Sequence, residues 1–174
     1  MSSPRKLVMI IPSSIIFFLL VPLLSLFFGR RLDVFLGFNG LESGLLGIVS
    51  SVLFILVGGY YVVESIRILL IQGGGIPLGD VFPEDQSTEL ITSGVYGQTR
   101  NPMLFGYILC LMALGILMES ISITFIIPIA FIIIWTMWLK KREEPALEAR
   151  FGITYRLYRE KTPFLVPRPW RKND

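Results

Sequence analysis

The sequence predicts an all-α integral membrane protein with four transmembrane helices, of which the last two form a tight hairpin, and an amphipathic cytoplasmic helix near the C-terminus. Hydrophobic residues make up 53% of the 174 residues, and charged residues make up only 17%. Soluble domains contain fewer apolar residues and about a quarter charged residues. The apolar residues are also gathered into four runs, each close to the roughly 20 residues that a helix needs to cross a bilayer.

The first two runs form the N-terminal part of the chain. The run from Leu7 to Phe28 follows a basic pair, Arg5-Lys6, and a signal peptide has the same order of basic and apolar residues. It is long and no small-residue cleavage site follows it, so we expect a retained span. The second run, from about Leu45 to Ile71, contains Glu64 and Arg67 on one helical face, where the two side chains can pair.

The last two runs, Met103–Met118 and Ile121–Leu139, are separated only by Glu119-Ser120. Such a short connection predicts a tight antiparallel helical hairpin. The first of the two would give roughly 24 Å of helix, which is slightly short of a full crossing. Pro128 inside the second predicts a kink.

Charges at the ends of the runs predict the topology. Arg5-Lys6 and Lys140-Lys141-Arg142 favour a cytoplasmic location for both termini, and Arg30-Arg31 oppose it with less weight. The chain is then one membrane domain, residues 1–174. It consists of two spans in 1–71, a cytoplasmic loop in 72–102, the hairpin in 103–139 and a cytoplasmic tail in 140–174.

The tail is basic, with ten of the sixteen Lys and Arg residues of the chain and five of its thirteen acidic residues. A basic segment beside a membrane favours anionic lipid headgroups over nucleic acid as its partner. Histidine is absent and Cys110 is the only cysteine. The sequence therefore excludes histidine metal sites, catalytic triads and an intrachain disulfide, and we predict no metal site.

The stretch GVYGQTRNPM, residues 94–103, lies directly before the third run. Gly94 permits close backbone approach or a positive φ. Asn101-Pro102 predicts the start of a helix, with Asn101 as the N-cap and Pro102 at the first helical position. A capped helix does not explain Tyr96 and Arg100, although both residue types are common anchors at the membrane surface.

A second polar stretch follows the last run and begins with Glu143-Glu144. Apolar residues at helical spacing predict an amphipathic continuation of the helix; they are Leu139, Leu147, Phe151, Tyr155 and Tyr158. Glu143 shares their face and would point inward, so it needs a cationic partner. Arg100 and a ligand ammonium or sulfonium are candidates, and the alternative is a solvated acidic pair beside the neighbouring basic residues.

Two motifs therefore flank the hairpin, S-G-V-Y-x-x-x-R-N-P-M-x-x-G before it and E-E-P-x-L-x-x-x-F-G-x-x-Y-x-x-Y-x-x-x-x-P after it. Over about residues 76–168 this order resembles the isoprenylcysteine carboxyl methyltransferase and phospholipid methyltransferase superfamily, in particular a bacterial and archaeal branch with Arg-Asn-Pro and Glu-Glu-Pro. The resemblance implies an integral-membrane enzyme that uses S-adenosylmethionine and releases S-adenosylhomocysteine. It also implies a lipophilic or membrane-embedded methyl acceptor, with a carboxylate, an amine and a thiol all left open.

The resemblance places the cofactor between the two motifs, at the cytoplasmic ends of the last two helices. One wall consists of Gly94, Tyr96, Arg100, Asn101, Pro102, Met103 and Gly106, and Glu143 and Glu144 form the other. One glutamate would take the methionyl ammonium, while Arg100 and the free amides at the helix start would take the carboxylate. Glu144 or Tyr158 is the candidate for assisting deprotonation of the acceptor.

The sequence departs from the superfamily pattern at three positions. Asn101 replaces a frequent histidine and removes a possible general base, and Leu104 replaces a frequent tyrosine. Phe164 stands where an arginine often follows proline, so Arg159 or Arg168 would have to hold a substrate carboxylate. Two alternatives remain: a non-catalytic membrane protein that binds anionic lipid or a partner through the basic tail, and a methyltransferase relative that binds the cofactor without turnover.

Overall fold

The computed structural model describes residues 19–73 and 89–168, and in these ranges helices are the only regular secondary structure. The α-helices are α1 (Val21–Leu36), α2 (Gly44–Ile68), α3 (Val95–Gln98), α4 (Pro102–Leu117), α5 (Ile127–Trp138), α6 (Glu144–Phe151) and α7 (Ile153–Lys161). Wider π-helical turns follow α2 at Leu69–Gly73, precede α5 at Ser122–Ile126 and join α5 to α6 at Leu139–Glu143. The predicted all-α class is confirmed.

Two helical stretches of the described residues, Gly44–Gln72 and Ser122–Phe151, are long and apolar enough to cross a membrane by length and composition. The helix α4 is apolar but shorter. The predicted first span, Leu7–Phe28, lies largely outside the described residues. The number of crossings and the side of the membrane that each loop faces therefore stay predictions.

The described residues form two compact units. The first contains those up to Gly59 together with Tyr107–Trp135, and the second contains those of Tyr60–Gly106 and those from Thr136 onward. The prediction that residues 1–174 form a single membrane domain stays a prediction.

In the first unit, α1 continues through Gly29, beyond the predicted end of its span at Phe28, and ends before Gly37. Gly37 adopts the left-handed conformation with φ of 72°, and its backbone N–H donates to Val34. The connection between α1 and α2 is therefore confined to residues 37–43.

The turn of the helical hairpin also lies in the first unit. Asp33 is buried and accepts hydrogen bonds from the Ser120 hydroxyl and from the backbone N–H of Ser122, the latter at 2.8 Å. Gly115 approaches the backbone of Thr124 so closely that no Cβ would fit. The π-helical turn Ser122–Ile126 ends two residues before Pro128, whose ring crowds the preceding turn.

In the second unit, the helical continuation after the last apolar run is present but broken. Gly152 has φ of 56° and ψ of −127°, and it separates α6 from α7, so one continuous C-terminal helix was the wrong prediction. The predicted inward face is nevertheless visible. Leu139 and Tyr155 are buried, and Leu147, Phe151 and Tyr158 are half-buried. The predicted Glu64–Arg67 pair is confirmed, with the charged atoms 3.2 Å apart.

Candidate active site

The loop that carries the first motif is packed against α2 within the second unit. Val95 is buried with Tyr61 and Ile68, and the Tyr61 hydroxyl donates a hydrogen bond of 2.6 Å to Gln98 Oε1. Gly94 has φ of 58°, and a Cβ there would lie 2.6 Å from Ile68 Cδ1. The positive φ favours glycine at this position because a side chain would be strained by the backbone, and a Cβ would also displace the end of the Ile68 side chain. These contacts hold the loop against α2 just before α4, which begins at Pro102 as the sequence predicts.

The two motifs meet in an ion pair between Arg100 and Glu144. Arg100 precedes α4 by two residues, and Glu144 is the first residue of α6. Their side chains are only 12% and 15% exposed, so both charges are mostly removed from water. The Nε of Arg100 is buried and has no hydrogen-bond partner among the described residues. A buried donor in this state is costly, and an acceptor atom from a ligand would satisfy it.

Three tyrosines surround this pair. The Tyr158 hydroxyl donates a hydrogen bond of 2.7 Å to the carbonyl of Tyr96, and the ring of Tyr155 lies 6.2 Å from that of Tyr158. Burial and the Glu143 carboxylate raise the pKa of Tyr96. Burial and the Glu144 carboxylate raise the pKa of Tyr155 to about 12, although Arg100 opposes them.

Burial, with smaller contributions from Tyr96 and Tyr155, also raises the pKa of Tyr158 far above its usual value. At neutral pH the hydroxyl keeps its proton and uses it to hold the backbone of Tyr96. The arrangement thus contains two adjacent carboxylates, one guanidinium and protonated phenols. It suits a ligand that carries both a cation and an anion.

Most of the site residues predicted from the sequence come together here. Tyr96, Arg100, Glu144 and Tyr158 are joined by the contacts above, and Glu143 is close enough to Tyr96 to influence its pKa. Gly94, Asn101, Pro102, Met103 and Gly106 lie in the same loop and in the first turns of α4. Arg159 instead pairs with Glu148 at 2.9 Å on an exposed face, and its catalytic role stays a prediction.

The profile of the phospholipid methyltransferase family matches residues 46–154, well over half of the chain. The chain belongs to the phospholipid methyltransferase family. Membership makes it a relative of membrane methyltransferases, as the two motifs predict, and it agrees with the two long apolar helices. Neither a curated protein nor a solved structure matches the chain.

The match to phospholipid methyltransferases includes Arg100, Glu143 and Glu144, but it ends before Tyr158. The residues beyond it include contacts that sequence reasoning missed. Thr99 is fully buried, and its hydroxyl lies against the backbone of residues 163–165. A threonine in a loop has no periodic pattern, so the only available signal was its position inside the first motif.

Proposed function

We propose that this member of the phospholipid methyltransferase family transfers a methyl group from S-adenosylmethionine to a lipophilic acceptor. The observation that supports the proposal most is the Arg100–Glu144 pair, which joins motifs 44 residues apart in the sequence. We further propose that the protein crosses the membrane several times, with both termini and the site on the cytoplasmic side. The acceptor would then enter from the bilayer.

The residues of the site fit the proposed cofactor. The Nε of Arg100, which has no hydrogen-bond partner in the described part of the chain, is a donor for the methionyl carboxylate, and backbone amides in the first turn of α4 add partial positive charge. Glu143, near Tyr96, is an acceptor for the methionyl ammonium. The neighbouring carboxylates also favour a positively charged sulfur over a neutral one.

Methyl transfer requires little from the protein beyond alignment of the acceptor with the methyl group. When bound, the cofactor would supply a methyl group on a positively charged sulfur. The acceptor atom would form a bond to the methyl carbon as the carbon–sulfur bond breaks, and the sulfur would leave in a neutral thioether. The protein holds the acceptor in line and excludes water. A carboxylate acceptor needs no base, whereas an amine must lose one proton.

Glu144 is the residue that we propose for receiving such a proton, because it is a largely buried carboxylate of the site. Tyr158 is better suited to positioning than to proton removal, since its hydroxyl keeps its proton at neutral pH and already donates to Tyr96. The acceptor atom itself, whether oxygen, nitrogen or sulfur, is left open by this mechanism.

Calorimetric titration of the purified protein in detergent with S-adenosylhomocysteine tests the proposal. We expect micromolar binding that Arg100→Ala and Glu143→Gln abolish. Arg67→Ala and Glu64→Gln are matched controls, since they remove the same groups from the exposed Glu64–Arg67 pair. Absence of binding by folded wild-type protein would contradict the proposal and favour the non-catalytic lipid-binding alternative.

Binding alone does not distinguish an active enzyme from a relative that holds the cofactor without turnover. Incubation with methyl-labelled cofactor and a membrane lipid extract separates the two. Label in the organic phase, lost in Arg100→Ala and kept in Arg67→Ala, is the expected result. Binding without any labelled lipid would instead favour the inactive relative.

A further inference from the structure

The segment Thr162–Arg168, which we call the strap, follows α7 and has no regular secondary structure. It is nevertheless bonded closely to the loop before α4. The backbone N–H of Arg100 donates to Pro163 at 2.9 Å, Asn101 Nδ2 donates to Phe164 at 2.8 Å, and the backbone N–H of Arg168 donates to Gln98 at 3.0 Å. Backbone groups of an irregular segment need such partners, and here the first motif supplies them.

Thr99 lies at the centre of this set of bonds. Its side chain is fully buried, and its Oγ1 is 2.9 Å from the Leu165 carbonyl oxygen and 3.2 Å from that of Phe164. Oγ1 also accepts the backbone N–H of Asn101 at 3.3 Å. A hydroxyl has one proton to donate and two lone pairs, so Thr99 can donate to the strap and accept from the loop at the same time.

The strap contacts the residue that carries the site's positive charge. It accepts the backbone N–H of Arg100, and the ring of Phe164 lies 5.4 Å from the Arg100 guanidinium carbon. Lys140 Nζ lies 5.1 Å from the centroid of the same ring. Displacement of the strap would therefore remove a backbone partner and an aromatic neighbour from Arg100.

We propose that Thr99 is a positioning residue, which fixes the strap against the loop and thereby holds Arg100 in its binding orientation. The strap lies beyond residues 46–154, which match the family profile, so the match does not assign this role. Asn101 serves the same contact through its side-chain amide. The inference rests on the proposed function, because the orientation of Arg100 matters for binding the cofactor carboxylate.

Hydrogen exchange of the cofactor-free protein tests the contact itself. Thr99→Val keeps the shape of the side chain and removes the hydroxyl, whereas Thr99→Ser keeps the hydroxyl. We expect faster exchange at the amides of Arg100 and Arg168 in Thr99→Val and nearly wild-type exchange in Thr99→Ser. Unchanged exchange in Thr99→Val would overturn the inference, whatever the protein binds.

Titration with S-adenosylhomocysteine tests the consequence. Loss of one buried hydrogen bond predicts about tenfold weaker binding in Thr99→Val, with recovery to within about twofold in Thr99→Ser. Thr124→Val is the matched control, because Thr124 is equally buried and donates to Ser120 in the first unit. Wild-type affinity in a folded Thr99→Val protein would refute the positioning role. Absence of binding by wild type would instead refute the proposed function.

Discussion

Arg100 and Glu144 show how much depends on single residues in this protein. Both side chains are nearly removed from water, so each charge is tolerated because the other is present. Removing one partner leaves a buried charge without compensation, whereas replacing both with apolar residues avoids that cost. The pair is therefore expected to behave as a unit in stability measurements.

We predict that Glu144→Gln lowers the free energy of unfolding by roughly 3 kcal/mol, the loss typical of a broken buried pair. The double variant Arg100→Met/Glu144→Met should be more stable than either single variant, since it leaves no unpaired charge. Denaturant unfolding in detergent, followed by circular dichroism, compares Glu144→Gln, Arg100→Met, Glu144→Met and the double variant. Additive losses in the double variant would show that the two charges are solvated independently.

The raised pKa of Tyr155 predicts a specific loss of stability at alkaline pH. Its pKa of about 12 in the folded protein exceeds the usual value of about 10 for the unfolded chain. Below pH 10 both states keep the proton and the stability is unaffected. Between about pH 10 and 12 only the unfolded state ionises, so the free energy of unfolding falls as pH rises.

The measurement is the melting temperature across this pH range. Tyr155→Phe should flatten the alkaline decline, because one group with a raised pKa no longer contributes. Tyr60→Phe, which changes an exposed tyrosine, serves as the control and should leave the slope unchanged. Equal slopes in wild type and Tyr155→Phe would argue against burial as the cause.

The residues whose role could be predicted from the sequence are those that act on residues close to them along the chain. Asn101-Pro102 marks the start of α4 because proline restricts the residue before it and suits the first helical position. Thr99 and Asp33 act on partners 66 and 89 residues away. Nothing in the local pattern of a threonine or an aspartate indicates such contacts, so they required the folded chain.

At the scale of helices, the break at Gly152 positions α7. Its conformation, with φ of 56° and ψ of −127°, is one that side-chain-bearing residues avoid. The break begins a new helix whose Tyr155 and Tyr158 reach the site residues. The sequence did not reveal it because apolar residues recur at helical spacing on both sides of Gly152.

We predict that Gly152→Ala destabilises the protein by about 1–2 kcal/mol, since alanine must adopt this strained conformation. It should also weaken binding of S-adenosylhomocysteine, because α7 carries Tyr158. The control is Gly59→Ala within α2, where a Cβ meets nothing within 4 Å and alanine favours the helix. Thermal unfolding compares the two, and equal melting temperatures would show that the break is not strained.

The π-helical turn Leu139–Glu143 explains a second difference at this scale. A turn with i to i+5 hydrogen bonds adds a residue and shifts the face on which later side chains lie. It occurs directly before Glu144, the partner of Arg100. Simple helical spacing therefore placed Glu143 on the inward face with Arg100 as a candidate partner, whereas in the structure Arg100 pairs with Glu144.

For the molecule as a whole, the open question is whether α4 crosses the membrane. Two helical stretches, Gly44–Gln72 and Ser122–Phe151, are long enough by themselves. The helix α4 has 16 residues, or roughly 24 Å, against a hydrocarbon core of about 30 Å. If α4 crosses, Glu42, just before the first stretch, and Ala146, near the end of the second, lie on opposite sides of the membrane. If it does not, they lie on the same side.

We predict opposite sides, with Ala146 in the cytoplasm beside the basic residues Lys140–Arg142. Glu42 and Ala146 are both exposed, so each can be replaced by cysteine in a Cys110→Ser background. A membrane-impermeant maleimide applied to intact cells should label Glu42→Cys and spare Ala146→Cys, and inverted vesicles should give the reverse. Detergent-solubilised protein, in which both positions must react, is the control. Labelling of both variants from one side would mean that α4 does not cross; Arg100 and Glu144 would then lie at opposite faces of the membrane, which would contradict the proposed site.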